Sequence, residues 1–137
     1  MANRTFRKFL TGRNKNLHEF SLLLLRLALG FMMIYGHAWP KFESYDLLKF
    51  TFPDPLGIGN TLSLQLTLFA EAGCSLFLIF GLWTRIALLP LLFTMGMIIF
   101  KINADAGFQK IELAILFGLG YLLLLFMGPG KYSVDER

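Results

Sequence analysis

Cysteine and histidine are scarce in this chain of 137 residues, which has one cysteine, Cys74, and two histidines. A single cysteine excludes an intrachain disulfide, a C-x-x-C redox pair, a cysteine metal site and the covalent attachment of a c-type haem. The sequence also has no P-loop, no dinucleotide-binding glycine pattern, no metal-spaced histidine pair and no serine–histidine–acid set. We therefore predict no metal site and no catalytic residues, and we expect Cys74 to pack as a small buried hydrophobe.

Charged residues are also few: they make up 16% of the chain, against 55% hydrophobic residues, and the mean hydropathy is +0.59. This composition is typical of a protein whose surface faces lipid. Four apolar runs, at residues 20–37, 61–82, 83–102 and 110–128, have about the length that crosses a bilayer. We predict an all-α bundle of four transmembrane helices over residues 20–128, preceded by a basic arm over residues 1–19 and followed by a tail over residues 129–137.

The positive charge of the chain is concentrated in the arm ahead of the first apolar run. Because loops rich in Lys and Arg stay in the cytoplasm, the arm predicts a cytoplasmic N-terminus, and four crossings return the C-terminus to the same side. The first loop, at residues 38–60, carries two lysines and three acidic residues, a net charge of 2 − 3 = −1, which suits the outer side. The net charge of +4 therefore indicates membrane topology and does not indicate nucleic-acid binding. The basic residues of the arm are Arg4, Arg7, Lys8, Arg13 and Lys15.

The first outer loop is rich in aromatic residues. Phe42, Tyr45 and Leu48 recur at every third position, which is close to helical spacing and predicts a short interfacial helix. Pro40 suits the first turn of that helix and is expected to end the preceding span. A turn is predicted at residues 52–57, Phe-Pro-Asp-Pro-Leu-Gly. Two alternatives stay open, because the short helix either caps the mouth of the bundle or floats at the interface.

Two ionisable residues interrupt the apolar runs. Glu71 lies about 15 Å from the start of the second run, close to the bilayer midplane, where an ionised group needs a partner, a water-filled cavity or a bound proton. Arg26, in the first run, is the predicted partner. The pair is either a buried ion pair that specifies helix packing or a carboxylate that handles protons or orients a ligand.

A second polar group is predicted near the outer interface. His37 and Lys41 follow the first span, and Glu112 begins the fourth, so all three reach a similar depth. Trp39 and Phe42 supply aromatic rings that are suited to flanking a ligand ring. We predict that these five residues form a candidate ligand-binding site for a quinone or another lipid-like molecule.

The chain resembles the DoxX family over residues 21–135. The fragments that carry the resemblance are Arg26 and Gly30 in the first run, Gly-His-Ala-Trp-Pro-Lys-Phe at residues 36–42, Glu71, Gly-Leu-Trp-Thr-Arg at residues 81–85, Glu112, and Gly-Pro-Gly-Lys-Tyr-Ser-Val-Asp at residues 128–135. The resemblance implies a small four-helix protein of a prokaryotic inner membrane, in a family some of whose members are linked to quinone-dependent or redox-homeostasis oxidoreductases. Many members have glycine at the position of Ala38 and histidine near the position of Asn103, from which this chain departs.

These observations predict an accessory subunit of a membrane oxidoreductase system that binds a quinone or lipid-like ligand and is not a stand-alone enzyme. The alternative is a non-catalytic structural or assembly partner of a larger membrane complex. The expected partners are the lipid bilayer and either other membrane subunits or further copies of this chain. A co-purified quinone would favour the first hypothesis, whereas a stoichiometric partner with an empty bundle would favour the second.

Overall fold

The structure is a computed structural model that describes residues 2–12 and 14–137, so Met1 and Arg13 of the predicted basic arm lie outside the described residues. The described residues form helices and turns, without a strand among them. In the part of the chain that the structure describes, six helices follow one another, and a 3-10 turn at Val134–Glu136 follows the last of them. They are α1 (Ala2–Leu10), α2 (Lys15–Glu43), α3 (Tyr45–Thr51), α4 (Asn60–Phe80), α5 (Thr84–Ile102) and α6 (Phe108–Met127).

Four of these helices, α2, α4, α5 and α6, are long and apolar enough to cross a membrane. Their outer faces are covered with exposed large hydrophobic side chains, including Phe31, Leu66, Phe93 and Phe126. Their inner faces form one core, in which Leu64, Leu78, Leu88, Leu91 and Leu124 have no accessible surface. Apolar exposure on this scale suits lipid and not water, so the predicted four-helix membrane bundle is confirmed.

The first span is longer than the sequence predicted. It begins at Lys15, inside the predicted arm, and continues through Pro40 to Glu43, so the expectation that Pro40 ends this span is wrong. A π-helical segment, Ile34–Ala38, precedes the proline, and the N–H of Trp39 bonds to the carbonyl of Ile34. Proline has no N–H and clashes with the carbonyl four residues earlier, and a wider π turn relieves that conflict without ending the helix.

The predicted short helix of the first loop is present as α3, but it begins at Tyr45, so Pro40 and Phe42, which were expected in it, belong to α2. The predicted turn follows α3. Asp54 organises this turn, because its carboxylate accepts hydrogen bonds from the N–H groups of Ile58 and Gly59 and from the hydroxyl of Ser63. The bond from Gly59, followed by the others, lowers the pKa of Asp54 below its ordinary value. The turn is thereby tied to the first residues of α4.

Two glycines allow close packing between spans. A Cβ on Gly30 of α2 would meet the side chain of Ile79 on α4, and a Cβ on Gly120 of α6 would come within 2.9 Å of Leu29 on α2. In lipid, close backbone approach and dispersion drive helix association, so these glycines suit the contacts of α2 with both neighbours.

The bundle has two distinct ends. Three parts of the chain meet at one end, which we call the terminal end. They are Glu19, the α4–α5 connection at residues 81–83 and the terminal segment at residues 128–137. The N–H of Lys131 bonds to the carboxylate of Glu19 at 2.7 Å, and the N–H of Asp135 bonds to the carbonyl of Gly81 at 2.9 Å. The loop end, with α3 and the α5–α6 connection at residues 103–107, lies opposite.

Candidate functional site

Glu71 is buried in the middle of α4 and pairs with Lys41. The Lys41 Nζ atom lies 3.0 Å from Oε1 and 2.9 Å from Oε2 of Glu71, and it also donates to the carbonyl of His37 at 3.4 Å. The carboxylate side chain is 2% exposed and the lysine side chain 22% exposed. The intramembrane carboxylate therefore has the cationic partner that its burial requires, but that partner is a lysine near the end of α2.

Arg26 is also fully buried, and its partners are backbone carbonyls. Its Nη1 donates to the carbonyl of Pro129 at 2.6 Å, and its Nη2 donates to those of Tyr132 at 3.0 Å and Ile79 at 3.4 Å. The predicted ion pair between Arg26 and Glu71 is therefore wrong: the structure gives each residue a different partner and does not bring the two together.

Arg26 and Glu71 do not meet because they lie at different depths along the bundle. A Cβ on Gly81 would lie 2.9 Å from Nη1 of Arg26, which puts the guanidinium level with the end of α4. Glu71 lies ten residues before Gly81, about 15 Å away along the helix axis. A side chain does not cover that distance, whereas Lys41 reaches Glu71 because α2 continues as a helix past Pro40.

The guanidinium of Arg26 anchors the terminal segment, and Asp135 anchors it a second time. Oδ1 of Asp135 accepts a hydrogen bond from the N–H of Trp83 at 2.7 Å, and Oδ2 accepts one from the N–H of Thr84 at 2.8 Å, at the start of α5. Burial alone would raise the pKa of Asp135, but these hydrogen bonds and the charge of Arg26 outweigh it and hold the pKa below its ordinary value. This contact satisfies the N–H of Thr84, the first residue of α5, and that of Trp83 just before it, neither of which has a partner within the helix.

A cavity of about 460 Å³ lies between α4, α5 and the loop after α3, with Lys41 and Glu71 in its wall. Its lining is otherwise mostly apolar, and three residues of that lining, Leu66, Phe69 and Phe93, are at least half exposed on the outer face of the bundle. Its volume is in the range of small-molecule pockets, whose walls are mostly apolar with a few convergent polar groups. We call this space the α4–α5 cavity.

Two of the helices around the α4–α5 cavity are locally distorted. The π segment Phe69–Cys74 of α4 contains Glu71, and the π segment Ile98–Ile102 of α5 contributes Ile98 and Ile102 to the wall. The π segment of α2, at Ile34–Ala38, packs against that of α4. π segments inside α-helices occur frequently at functional sites, which agrees with a site at this cavity.

Of the five residues predicted to form a ligand site, Lys41 lines this cavity and the others do not. His37 packs edge-on against Phe117, with 5.5 Å between ring centroids. Trp39 and Phe42 are exposed and stack obliquely on each other at 6.2 Å, and Glu112 is exposed on α6. The structure therefore does not bring the five predicted residues together.

Sequence reasoning missed the walls of the α4–α5 cavity. Thr67 and Thr94 lie in this lining and were not among the predicted ligand-binding residues. The sequence did contain one indication of the cavity, the turn at residues 52–57. Its prolines are rigid and apolar, and the turn is tied to the start of α4. Four members of the turn, Phe52, Pro53, Pro55 and Leu56, cover the cavity.

The sequence model of the DoxX family matches residues 21–104, which include Arg26, Lys41, Glu71 and the lining of the α4–α5 cavity. The chain belongs to the DoxX family. A similar protein is the uncharacterized membrane protein Rv3486 of Mycobacterium tuberculosis, which is 31% identical over 142 aligned positions covering 85% of this DoxX chain and 80% of the relative. No solved structure matches this DoxX protein. The family assignment and the four spans identify a multi-pass membrane protein.

Proposed function

We propose that this DoxX protein is an accessory subunit of a membrane oxidoreductase system and that it holds a quinone or another lipid-like ligand in the α4–α5 cavity. The observation that carries the proposal is the cavity itself, a mostly apolar space with a paired lysine and glutamate in its wall. An apolar wall suits a lipid-soluble molecule, and the two polar side chains supply a point that orients its head. The oxidoreductase link follows from the resemblance to other members of the family.

The proposed orientation puts both termini in the cytoplasm, in the inner membrane of a prokaryote. The support is the distribution of charge, because α1 and the terminal end carry most of the unpaired basic side chains. Those described in the structure are Arg4, Arg7, Lys8, Lys15, Arg85, Lys131 and Arg137.

The alternative function, a structural or assembly partner, is favoured by a different observation. A Cβ at Gly36 on α2 or at Gly96 on α5 would meet no atom within 4 Å, so both glycines lie beside open space. Small residues on the lipid-facing surface of a span allow the helix of another subunit to approach closely. Under this alternative the α4–α5 cavity has no ligand of its own.

A comparison of cavity-filling variants tests the proposal. Ala70 is 3% exposed and lines the cavity beside Glu71, so Ala70→Phe fills part of the space. Leu123→Phe adds an aromatic ring on the exposed face of α6 and is the matched control. After gentle solubilisation, native mass spectrometry and analysis of lipid extracts should detect a bound lipid-soluble molecule in the wild type and in Leu123→Phe, and a several-fold lower amount in Ala70→Phe.

The same measurement separates the two functions. If the wild type retains no such molecule, or if Ala70→Phe retains as much as the wild type, the cavity is not the ligand site. A stoichiometric protein partner together with an empty bundle in the wild type would support the structural role instead.

A further inference from the structure

In the wall of the α4–α5 cavity, the hydrogen-bond donors and the hydrogen-bond acceptors differ in how far they are engaged within the protein. Five polar side chains line the cavity: Lys41, Ser63, Thr67, Glu71 and Thr94. A ligand head forms hydrogen bonds only with donors and acceptors that are not already engaged within the protein. The free capacity of these side chains therefore indicates which kind of head the cavity accepts.

The donors in this wall are engaged. An ammonium group has three N–H bonds, and Lys41 directs its three hydrogen bonds to both oxygens of Glu71 and to the carbonyl of His37. The hydroxyl of Thr67 donates to the carbonyl of Ser63 at 2.8 Å, and that of Thr94 donates to the carbonyl of Pro90 at 2.9 Å. The hydroxyl of Ser63 donates to Asp54 at 2.9 Å.

Acceptor capacity, in contrast, remains. An ionised carboxylate has about four lone-pair positions, and Lys41 uses one on each oxygen of Glu71, which leaves about two. The hydroxyls of Thr67 and Thr94 also keep their lone pairs when they donate to the backbone. Because the charges of Lys41 and Glu71 neutralise each other, the wall attracts neither an anionic nor a cationic head strongly.

We infer that the α4–α5 cavity selects a lipid-soluble molecule whose uncharged head donates a hydrogen bond, such as a phenol, a hydroquinone or an isoprenoid alcohol. A head that only accepts, such as a quinone carbonyl or an ether, meets no free side-chain donor among the described residues of the lining and must displace an internal bond. This inference rests on the proposed function, because it concerns the ligand of the same cavity. For a quinone-type ligand, the reduced form binds more tightly than the oxidised form.

A matched pair of probes tests the inference on the full chain. The probes are 4-decylphenol and its methyl ether, which differ by the hydroxyl hydrogen that the methyl group replaces. Scintillation proximity measures the binding of tritiated 4-decylphenol to the protein in phosphatidylcholine nanodiscs. Each unlabelled probe then competes for this binding, and the partition of the probe into empty nanodiscs is subtracted. A hydrogen bond to a charged acceptor should make the phenol bind about tenfold more tightly than the ether.

Two variants assign the preference to Glu71. In Glu71→Gln, Lys41 loses its carboxylate partner and regains free N–H donors, so the preference for the phenol should fall to threefold or less, or reverse. Glu43→Gln changes an exposed glutamate at the loop end in the same way and should keep the tenfold preference. The wild-type comparison stands without either variant, so the test holds even if Glu71→Gln does not fold.

The outcomes separate this inference from the proposed function. If both probes bind equally, or the ether binds better, and Ala70→Phe abolishes that binding, the donor preference is wrong while the cavity remains the site. If neither probe binds, or if binding survives both Ala70→Phe and the second filling variant Leu66→Trp, the cavity is not a ligand site and both proposals fail. Leu66 lies in the half-exposed part of the lining, so its replacement is expected to be tolerated even where Ala70→Phe is not.

Discussion

At the scale of single residues, the protein accommodates two buried ionisable side chains in different ways. Glu71 is neutralised by the ammonium of Lys41, so this pair has no net charge. Arg26 has backbone carbonyls as its hydrogen-bond acceptors, and the carboxylate of Asp135 interacts with its charge without a hydrogen bond between the two side chains. Arg26 lies at the terminal end, close to the membrane surface, whereas Glu71 lies about 15 Å deeper, where an uncompensated charge costs more free energy.

Replacement of Lys41 and Glu71 should show coupling between them. Lys41→Met leaves a carboxylate that is 2% exposed without a partner and should lower the free energy of unfolding by about 3 kcal/mol. Glu71→Leu should cost less, because the lysine side chain is 22% exposed and reaches water more easily. The double variant should recover at least half of the summed loss, measured by thermal unfolding in detergent.

The control for this double-mutant cycle is the pair Arg26 and Glu71, which the sequence predicted to interact. Because Arg26 and Glu71 do not touch, the losses caused by Arg26→Met and Glu71→Leu should add within about 0.5 kcal/mol. Additive losses for Lys41 with Glu71, or strong coupling of Arg26 with Glu71, would contradict the contacts described above.

At the scale of elements, the terminal segment supplies the cap that α5 lacks in its own sequence. The residues before α5 form a tight connection in which Gly81 and Trp83 both have positive φ, +68° and +45°, a region that Trp rarely adopts. No side chain of the connection caps the helix. Asp135, about fifty residues later, accepts the hydrogen bonds of the first N–H groups and so holds the strained connection in place.

The contribution of Asp135 to stability should depend on pH. The pKa of Asp135 is lower in the folded protein than the ordinary value of about 3.9, so its stabilising effect is complete above that value and is lost as the pH falls towards the folded pKa. We expect Asp135→Ala to lower stability by about 1 kcal/mol at pH 7. The difference in Tm between wild type and Asp135→Asn should be constant from about pH 7 to pH 5 and should shrink below about pH 4.

Asp105→Asn, at an exposed position of the α5–α6 connection, is the control and should leave the pH profile of Tm unchanged. A difference between wild type and Asp135→Asn that stays constant down to pH 3 would contradict the capping role.

At the scale of the whole molecule, the two ends differ in charge, and this difference predicts the orientation in the membrane. Cysteines introduced at Ser44 and Asp105, both exposed at the loop end, should react with an impermeant thiol reagent in intact cells. A cysteine at Glu136, exposed at the terminal end, should react only after the membrane is opened. The native Cys74 is buried and should stay unlabelled, and labelling of Glu136→Cys in intact cells would reverse the proposed orientation.

The sequence was sufficient for the fold because length and hydropathy alone define a span in lipid. The four runs, the short helix α3 and the turn at residues 52–57 were predicted and are present. The partner of Glu71 was not predictable in this way, because it depends on the helix continuing past Pro40 through a π segment that the sequence does not signal. The cavity was missed because it depends on how α4, α5 and the loop after α3 pack together. The hydrophobic periodicity of a single segment does not indicate that packing.

The contacts of Arg26 also impose an order of events during synthesis. Two of its three acceptors, the carbonyls of Pro129 and Tyr132, are made more than one hundred residues after Arg26 itself. At about 5–20 residues per second, the first span therefore waits roughly 5–20 s in the membrane with its guanidinium lacking those acceptors. Throughout that interval the nascent chain is an incomplete bundle, and release from the insertion machinery before residue 132 is made would leave a charged first helix exposed to quality control.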